Sequence, residues 1–344
     1  MFRLALLSLL TVFLAAAQSK PLDIYWIDVE GGAATLIVTP AGQSLLADTG
    51  NPGNRDAQRI FDVASKTAGL KKIDYVLITH FHGDHVGGVP ALAKLIPIDH
   101  FLDHGDSVEK DSGGNPVWQA YLAAAGTKRQ TLKPGGKIPL KGIDVEIVSG
   151  AGHVLQTPMK GGGPNALCAA AQNKDLDTSE NAQSMGFVLA YNKFRFLNLG
   201  DLTWSKEMEL ACPNNKIGTV TIVQATHHGF YGGFSGAPAL YEGVKPQVVM
   251  VNNGATKGLR ASAYDTIAKI PGLEAIWQIH LATGADGGHN TDEKRIANDD
   301  RTDPGATLDA TLDAGHWIKA SIASDGKYTI TNTRNNYTET YRSR

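Results

Sequence analysis

Cysteine is scarce in this sequence, and neither sign of charge is in excess. The 344 residues include two cysteines, and 32 basic residues nearly balance 34 acidic ones, for a formal net charge of −2. Neither cysteine lies in a C-x-x-C pair or near a histidine at metal-ligand spacing, which argues against a cysteine metal site. The balanced charge argues against a nucleic-acid partner and against a polybasic membrane binder.

Long apolar runs are also absent after the first 17 residues. Those residues are Met-Phe-Arg, an apolar stretch at 4–14, and three alanines that end at Ala17. A charged start, an apolar centre and small residues before a cleavage point predict a signal peptide over residues 1–17. A membrane anchor is the alternative, but the run is shorter than the ~20 residues that a spanning helix needs. We therefore expect a secreted or periplasmic protein with no membrane segment after cleavage.

No internal repeat is present. Hydrophobic residues make up 42% and charged residues 19% of the chain, with 38 glycines and 15 prolines, which is typical of a globular protein. A Gly- and Pro-rich stretch at 157–177 predicts a long loop between two halves, about 22–150 and 180–344. In an oxidising compartment, Cys168 in this loop is predicted to form a disulfide with Cys212; two unpaired buried cysteines are the alternative.

Apolar periodicity predicts many strands with fewer helices between them. The predicted strands are 23–29, 34–38, 44–47, 73–79, 98–102, 145–148, 186–191, 195–199, 220–225, 247–251, 275–279, 317–323 and 327–333. The predicted helices are 57–68, 89–96, 115–125 and 262–270. This order of elements predicts an α/β protein whose mixed sheets are flanked by helices.

Four metal-competent side chains follow the predicted strand 73–79 within six residues. They are His80, His82, Asp84 and His85, in the run T-H-F-H-G-D-H-V-G-G. In extended backbone His80 and His82 point to the same side, and a turn at Gly83 brings Asp84 and His85 toward a second position. Imidazole with carboxylate suits Zn²⁺ first, with Mn²⁺ or Fe as alternatives.

Two later strands end in further candidate ligands. Asp201 follows a glycine after strand 195–199, and the pair His227-His228 follows strand 220–225. A carboxylate at such a position can bridge two metal ions about 3.5–4 Å apart. Because ligands from both halves must meet at one site, residues 22–344 are predicted to form a single domain.

These motifs resemble the metallo-β-lactamase-fold hydrolases. The similarity rests on T-H-x-H-x-D-H-x-G-G, on G-D after a strand, and on H-H-G after the next strand. W-I-D-V-E-G-G-A-A at 26–34 and L-L-A-D-T-G at 45–50 resemble the branch that contains the soluble domain of ComEC-type competence proteins. The resemblance covers roughly residues 22–290. It implies a four-layer αββα sandwich of two mixed β-sheets flanked by helices, with a site for two divalent metal ions.

The resemblance also implies a role for each position. The implied ligands are His80 and His82 for the first metal, Asp84, His85 and His228 for the second, and Asp201 as the bridge. Asp84 is the implied catalytic residue, because its carboxylate would accept a hydrogen bond from the attacking hydroxide and pass a proton to the leaving group. Asp48 would orient a ligand histidine, with a turn-forming role as the alternative. His227 would be a supporting group or a proton donor.

Two positions depart from the family pattern. Asn181 stands where a third histidine is common, and the ComEC-type branch also has a polar segment there. His153 could substitute from a loop, or it could be a solvated surface residue; His280 and His289 could line the pocket or lie on the surface. Ala33 stands where the competence proteins tend to carry aspartate, which argues against their DNA-degrading role.

The predicted activity is metal-dependent hydrolysis of a small molecule by an exported enzyme. A phosphoester or another small ester or amide-like bond is the predicted target, with β-lactamase or lactonase activity as the alternative in the same fold. A non-catalytic periplasmic metal-binding or sensor protein is the alternative of another class. A di-iron redox protein is disfavoured, because such relatives resemble H-x-E-x-D and this chain has His82 in place of the glutamate. Oligomeric state is not predicted.

Overall fold

A computed structural model describes residues 20–109, 115–230, 233–284, 289–299, 301 and 315–344. The predicted signal peptide, residues 1–17, lies outside the described residues. Within the described part of the chain, no helix has both the length and the apolar character needed to cross a membrane.

Nine strands form the first sheet. They are β1 (Leu22–Trp26), β2 (Thr35–Val38), β3 (Ser44–Ala47), β4 (Ile73–Leu77), β5 (Ile98–Asp103), β6 (Arg129–Thr131), β17 (Ile318–Ile322), β18 (Lys327–Asn332) and β19 (Thr338–Arg342). Their order across the sheet is β19-β18-β17-β1-β2-β3-β4-β5-β6. Strands β3 to β6 are mutually parallel, and the other neighbours are antiparallel.

Eight strands form the second sheet. They are β7 (Asp144–Gly150), β8 (His153–Val154), β10 (Gly186–Tyr191), β11 (Phe194–Asn198), β13 (Ile222–Gln224), β14 (Val248–Val251), β15 (Ala275–His280) and β16 (Ile296–Asn298). Their order is β16-β15-β14-β13-β11-β10-β7-β8, and the strands from β11 to β16 in this sheet are parallel. A separate short pair joins β9 (Gly163–Pro164) to β12 (Asn214–Asn215).

Helices cover the outer faces of both sheets. The helical segments are α1 (Arg55–Asp62), which continues as a π-helical turn over Val63–Thr67, α2 (Gly83–Val86), α3 (Val89–Leu95), α4 (Pro116–Ala125), α5 (Trp204–Ala211), α7 (Pro238–Val244) and α8 (Ala261–Ala268). The segment labelled α6 (His227–Phe230) is a short turn in which His228 and Gly229 have non-helical backbone angles. Short 3₁₀ turns occupy Gly126–Lys128, Ala166–Ala170, Asn181–Gln183 and Glu293–Arg295.

The strands bury both of their faces, which produces four layers. Because side chains alternate along a strand, Ile24 and Trp26 of β1 join the apolar core between the two sheets, whereas Tyr25 packs in the core that also contains α1, α3 and α4. In the second sheet, Val188 packs in a third core with α5, α7 and α8. The αββα sandwich of the α/β class is therefore confirmed.

A buried polar contact joins the two sheets near the ends of their parallel strands. Gln224 of β13 accepts hydrogen bonds at Oε1 from Trp26 Nε1 (3.0 Å) and from Thr35 Oγ1 (2.8 Å). Both donors belong to the first sheet, so this glutamine fixes the position of β13 against it. The position of β13 in turn fixes where the residues that follow it lie relative to the first sheet.

The predicted disulfide is confirmed. Cys168 and Cys212 are bonded, with their Cα atoms 5.7 Å apart. The bridge fastens the glycine-rich stretch 157–177 to the end of α5. That stretch also contains β9 and a 3₁₀ turn, so it is not a plain loop as predicted.

The pattern-based prediction missed several elements. Two of them, α5 and α7, are eight and seven residues long, and α5 buries Lys206 and Glu207, which hides its amphipathic pattern. Strand β19 was missed because four of its five residues are polar and at least partly exposed, as is typical of an edge strand. The predicted helix 57–68 is correct in place, but its second half is π-helical.

Candidate metal centre

The candidate ligands lie where parallel strands of the two sheets end. After β4, the backbone of His82 is extended (φ −70°, ψ 150°) and α2 begins at Gly83. This places His80 and His82 before the helical turn, and Asp84 and His85 within it. Ligand-bearing segments after β11 and β13 approach from the other sheet, as predicted from the strand-end motifs.

Four side chains converge on one point. Asp84, His85, Asp201 and His228 each offer one ligand atom, and these atoms all lie within 4.8 Å of one another. His85 Nε2 is 3.3 Å from His228 Nε2 and 3.3 Å from Asp201 Oδ2. His228 Nε2 is 3.1 Å from Asp84 Oδ2 and 3.3 Å from Asp201 Oδ2. Two carboxylates and two imidazoles in this arrangement fit a divalent cation.

Further imidazoles lie close to Asp201. His80 Nε2 is 3.1 Å from His82 Nδ1 and 3.9 Å from Asp201 Oδ2. His227 Nε2 is 3.5 Å from the same carboxylate oxygen. The Asp201 Oδ2 atom thus lies within 4 Å of imidazole nitrogens from both sets, so this carboxylate is the candidate to be shared by two metal ions. His82, with 34% of its side chain exposed, faces the opening of the site.

Asp48 holds one of these histidines in place. Its Oδ2 is 2.8 Å from His85 Nδ1, while Thr79 donates to Asp48 through both its amide and its hydroxyl at 2.8 Å. This leaves His85 Nε2 directed at the ligand cluster. Asp48 itself has a left-handed backbone (φ 63°), a conformation that costs free energy in a non-glycine residue and that recurs at functional sites.

The turns after β11 and β13 also need unusual backbone. Gly200 has φ +57°, and a Cβ atom there would lie 2.7 Å from the Cβ of Thr79. Only glycine therefore lets the Asp201 segment approach the first sheet this closely. His227 and His228 have left-handed φ values of 51° and 55°, which directs both imidazoles toward Asp201.

Mutual charge sets the protonation of the four-residue cluster. Burial alone would raise the pKa of Asp84 and Asp201, but the neighbouring imidazoles hold the pKa of both carboxyls well below the usual value. Burial would lower the pKa of His85 and His228, but the carboxylates, Asp201 first, raise it. A metal ion would take the place of these protons, since histidine binds metals in its neutral form.

His80 and His227, which also lie near Asp201, behave differently. Burial, reinforced by the nearby His85, holds the pKa of His80 well below its usual value, and burial also lowers the pKa of His227. Both imidazoles are therefore neutral, which is the form that ligates a metal.

Three of the remaining predicted positions lie apart from this cluster. His153 is exposed on β8. His289 is also exposed, and its Nδ1 is 2.6 Å from Asp265 Oδ1. His280 is buried at the end of β15, with Nε2 2.6 Å from Asp28 Oδ1.

Asp28, Glu30 and His280 form a second group whose ligand atoms lie within 4.8 Å of one another. Arg59 Nη1 already donates to Asp28 Oδ2 at 2.7 Å. We interpret this group as an ion-pair network that joins the loop after β1 to the end of β15.

Asn181 begins a 3₁₀ turn, Asn181–Gln183, that follows Glu180. Its neighbour Glu180 accepts a hydrogen bond from the amide of Phe81, between His80 and His82, at 3.1 Å. Among the described residues, the Asn181 Oδ1 atom is buried without a hydrogen-bond partner. This buried oxygen is therefore a candidate ligand atom at the position where the family pattern has a histidine.

Two residues that contact the candidate ligands or their backbone could not be recognised from the sequence. Glu180 is fully buried and holds the 80–82 segment from below, through Phe81 and through His104 Nε2 at 2.9 Å. Lys257 lies in the loop after β14, and its Nζ contacts Asp84 Oδ2. Neither Glu180 nor Lys257 belongs to a local sequence motif. Each is recognised only from its contacts in the folded chain.

The chain is similar to one known family and to several metal-dependent hydrolases. A family model described as the metallo-beta-lactamase superfamily matches residues 27–169. A UPF0173 metal-dependent hydrolase of Thermodesulfovibrio yellowstonii is 35% identical over 200 residues, which are 52% of this chain and 69% of that protein. A UPF0173 metal-dependent hydrolase of Cupriavidus metallidurans is 25% identical over 245 residues, 70% of this chain and 76% of that protein.

A similarity to an enzyme of known reaction covers a shorter part of the chain. An atrochrysone carboxyl ACP thioesterase of Emericella nidulans is 30% identical over 122 residues, which are 36% of this chain and 34% of that protein. The chain thus spans about a third of the length of this relative.

Proposed function

Because the chain belongs to the metallo-β-lactamase superfamily of metal-dependent hydrolases, we propose that it is an exported enzyme that holds two divalent ions, most simply zinc, and hydrolyses a phosphoester or another small ester or amide-like bond. The observation that carries this proposal is the convergence of Asp84, His85, Asp201 and His228 within 4.8 Å. His80 Nε2 lies 3.9 Å from Asp201 Oδ2 and 3.1 Å from His82 Nδ1.

In this proposal each ion has its own set of ligands. Asp84, His85 and His228 would hold one ion and His80 and His82 the other, with Asp201 as the ligand that the two ions would share. His227, 3.5 Å from the bridging oxygen, and the free Asn181 Oδ1 are the candidates to complete the first set. A pair of divalent ions at such positions supplies an activated water near neutral pH and stabilises developing negative charge.

Asp84 is the residue of this set that meets solvent. About a fifth of its side chain is exposed, whereas His85 and His228 are fully buried. Its carboxylate is ionised and can accept a hydrogen bond from the attacking water, which orients that water toward the substrate. After bond cleavage the same carboxylate can pass a proton to the leaving group.

A groove beside the histidines offers room for the rest of the substrate. It has a volume of about 950 Å³ and is lined by Val108, Glu109, Phe234 and the segment 173–179. Glu109 Oε1 is 3.6 Å from His82 Nε2, so the groove opens next to the candidate first-metal ligands. Exposed apolar side chains in this groove, such as Phe234 (58% exposed), favour a substrate with an apolar portion. The thioesterase similarity supports an acyl substrate as one member of this class.

A variant series tests the proposed hydrolysis. Zinc-loaded protein lacking residues 1–17 is assayed on bis-p-nitrophenyl phosphate, p-nitrophenyl acetate, an acyl thioester, a lactone and nitrocefin. On the substrate that is cleaved, His85→Ala and Asp84→Asn are expected to lower kcat/KM by about 100-fold or more, whereas His100→Ala on β5 keeps wild-type activity. Full activity in either ligand variant, or in metal-free protein, would refute the proposal.

Export is supported by the signal-like N-terminus and by the disulfide, since disulfides persist in oxidising compartments. Expression in a bacterial host with an intact secretion pathway is expected to yield a periplasmic protein whose mass corresponds to cleavage after Ala17. An intact N-terminus in the cytoplasmic fraction would contradict export.

A further inference from the structure

One cation reaches the candidate metal centre from outside the ligand set. The Nζ atom of Lys257 contacts Asp84 Oδ2, the oxygen that lies 3.1 Å from His228 Nε2. A third of the Lys257 side chain is exposed, as against a fifth of Asp84. The ammonium group therefore lies at the mouth of the site, between the ligands and solvent.

The backbone that carries Lys257 is tied down on both sides. The Lys257 carbonyl accepts a hydrogen bond from Gly254 N (2.9 Å), and Leu259 N donates to His228 O (3.1 Å). Gly258 has φ +79°, and a Cβ atom there would lie 1.9 Å from the His228 carbonyl oxygen. The lysine thus has a fixed anchor beside the ligand-bearing turn, with its four-carbon side chain as the movable part.

The charge balance at this place changes when a divalent cation is bound. Asp84 would then be a metal ligand, and the ammonium group would be repelled by the ion. Because a third of the Lys257 side chain is exposed, the side chain can turn toward solvent, from which a substrate enters. Arg59, the other cation of this region, is held by Asp28 at 2.7 Å.

We propose that Lys257 binds an anionic group of the substrate, so that the enzyme acts on esters that carry a negative charge beside the scissile bond. This inference rests on the proposed hydrolytic function and narrows its substrate class. A lysine serves here as a mobile point charge, and a charge-assisted hydrogen bond from its ammonium group to an anionic oxygen is strong in a partly desolvated site.

Two esters that differ in charge test the proposal. Ethyl p-nitrophenyl phosphate is a monoanion, and diethyl p-nitrophenyl phosphate is its neutral analogue with the same leaving group. In zinc-loaded protein, Lys257→Met is expected to lower kcat/KM for the anionic ester by about 10- to 100-fold, mainly through KM. The neutral ester should change by less than about twofold, and Lys257→Arg should retain most of the wild-type preference.

Lys66→Met serves as the matched control, because Lys66 is an exposed lysine on the π-helical turn after α1 that pairs with Asp62. Zinc content and thermal midpoint are measured for every variant. Equal losses on both esters, or loss of zinc from Lys257→Met, would show that Lys257 has only a structural role and would overturn the inference.

A binding measurement separates this inference from the proposed function. Inorganic phosphate is titrated calorimetrically into zinc-loaded wild type and into Lys257→Met, with no turnover involved. We expect the variant to bind phosphate at least about tenfold more weakly. If the wild type cleaves neither ester, the hydrolytic proposal fails for this class while the phosphate affinities still decide the role of Lys257. Equal phosphate affinities in the wild type and Lys257→Met, or no phosphate binding by the wild type, would overturn the proposed role of Lys257.

Discussion

At the scale of single residues, the centre depends on side chains that orient other side chains. Asp48 receives two hydrogen bonds from Thr79 and contacts His85, which leaves only one ring nitrogen of that histidine for a metal. Such supporting carboxylates typically contribute 10- to 100-fold to metal affinity. Asp48 was identified from a three-residue motif, because the D-T-G run is local in sequence.

Removing the charge of Asp48 should weaken zinc binding without unfolding the protein. We expect Asp48→Asn to lower the zinc affinity of the second site by about 10- to 100-fold, because the amide holds the His85 imidazole less firmly. Asp74→Asn is the matched control, since Asp74 is a buried aspartate at the start of β4 that accepts hydrogen bonds from Ser44. Competition with a chromogenic zinc chelator measures the zinc affinity of both variants. Equal zinc affinities in Asp48→Asn and Asp74→Asn would contradict the role of Asp48.

Other residues of the site could not be found from sequence. The H-x-H-x-D-H run is recognisable because its members are adjacent and their spacing has chemical meaning. Glu180 and Lys257 contact residues of that run at sequence separations of 99 and 173. A lone glutamate or lysine has no local pattern, so only the folded chain reveals these contacts.

At the scale of secondary-structure elements, the site is built by strand ends and completed by turns. The apolar strands β4, β10 and β14 were predicted because their runs are short, apolar and bounded by turn residues. The left-handed turn at His227 and His228 was not, since nothing in H-H-G specifies such backbone. A buried carboxylate anchors that turn: Glu207 of α5 accepts hydrogen bonds from Thr226 Oγ1 (2.7 Å) and from Gly236 N (2.7 Å).

This anchor should make stability depend on pH. Burial raises the pKa of Glu207 to about 7, although its hydrogen bonds act in the opposite direction. The folded protein therefore holds a proton that the unfolded chain, with a carboxyl pKa near 4.5, has lost. The resulting stabilisation is complete below about pH 4.5 and is lost as the pH rises through about 7.

Urea unfolding of wild type and Glu207→Gln between pH 5 and 8 tests this. The wild-type free energy of unfolding is expected to fall more steeply with pH, by at most ~1.4 kcal/mol per pH unit relative to the variant. Glu209→Gln, at a partly exposed glutamate that pairs with Lys206, should keep the wild-type slope. Parallel curves for wild type and Glu207→Gln would show that Glu207 does not titrate in this range.

At the scale of the whole molecule, the two sheets supply complementary halves of one centre. The first sheet contributes the run from His80 to His85, and the second contributes Asp201 and His228. The single-domain organisation over residues 22–344 and the closer likeness to ComEC-type proteins stay predictions. The order of the layers could be predicted because the motifs resemble those of one family. The identity of the substrate could not, because it depends on the groove and on Lys257, and neither belongs to a sequence motif of that family.

The central claim is that this chain hydrolyses its substrate with two metal ions held between the sheets. Zinc titration of metal-free protein, with hydrolysis of the best ester recorded at each addition, tests it most directly. We predict that activity rises from near zero and reaches its plateau at two zinc ions per chain. Full activity before any zinc is added, or zinc binding without any gain of activity, would contradict the account.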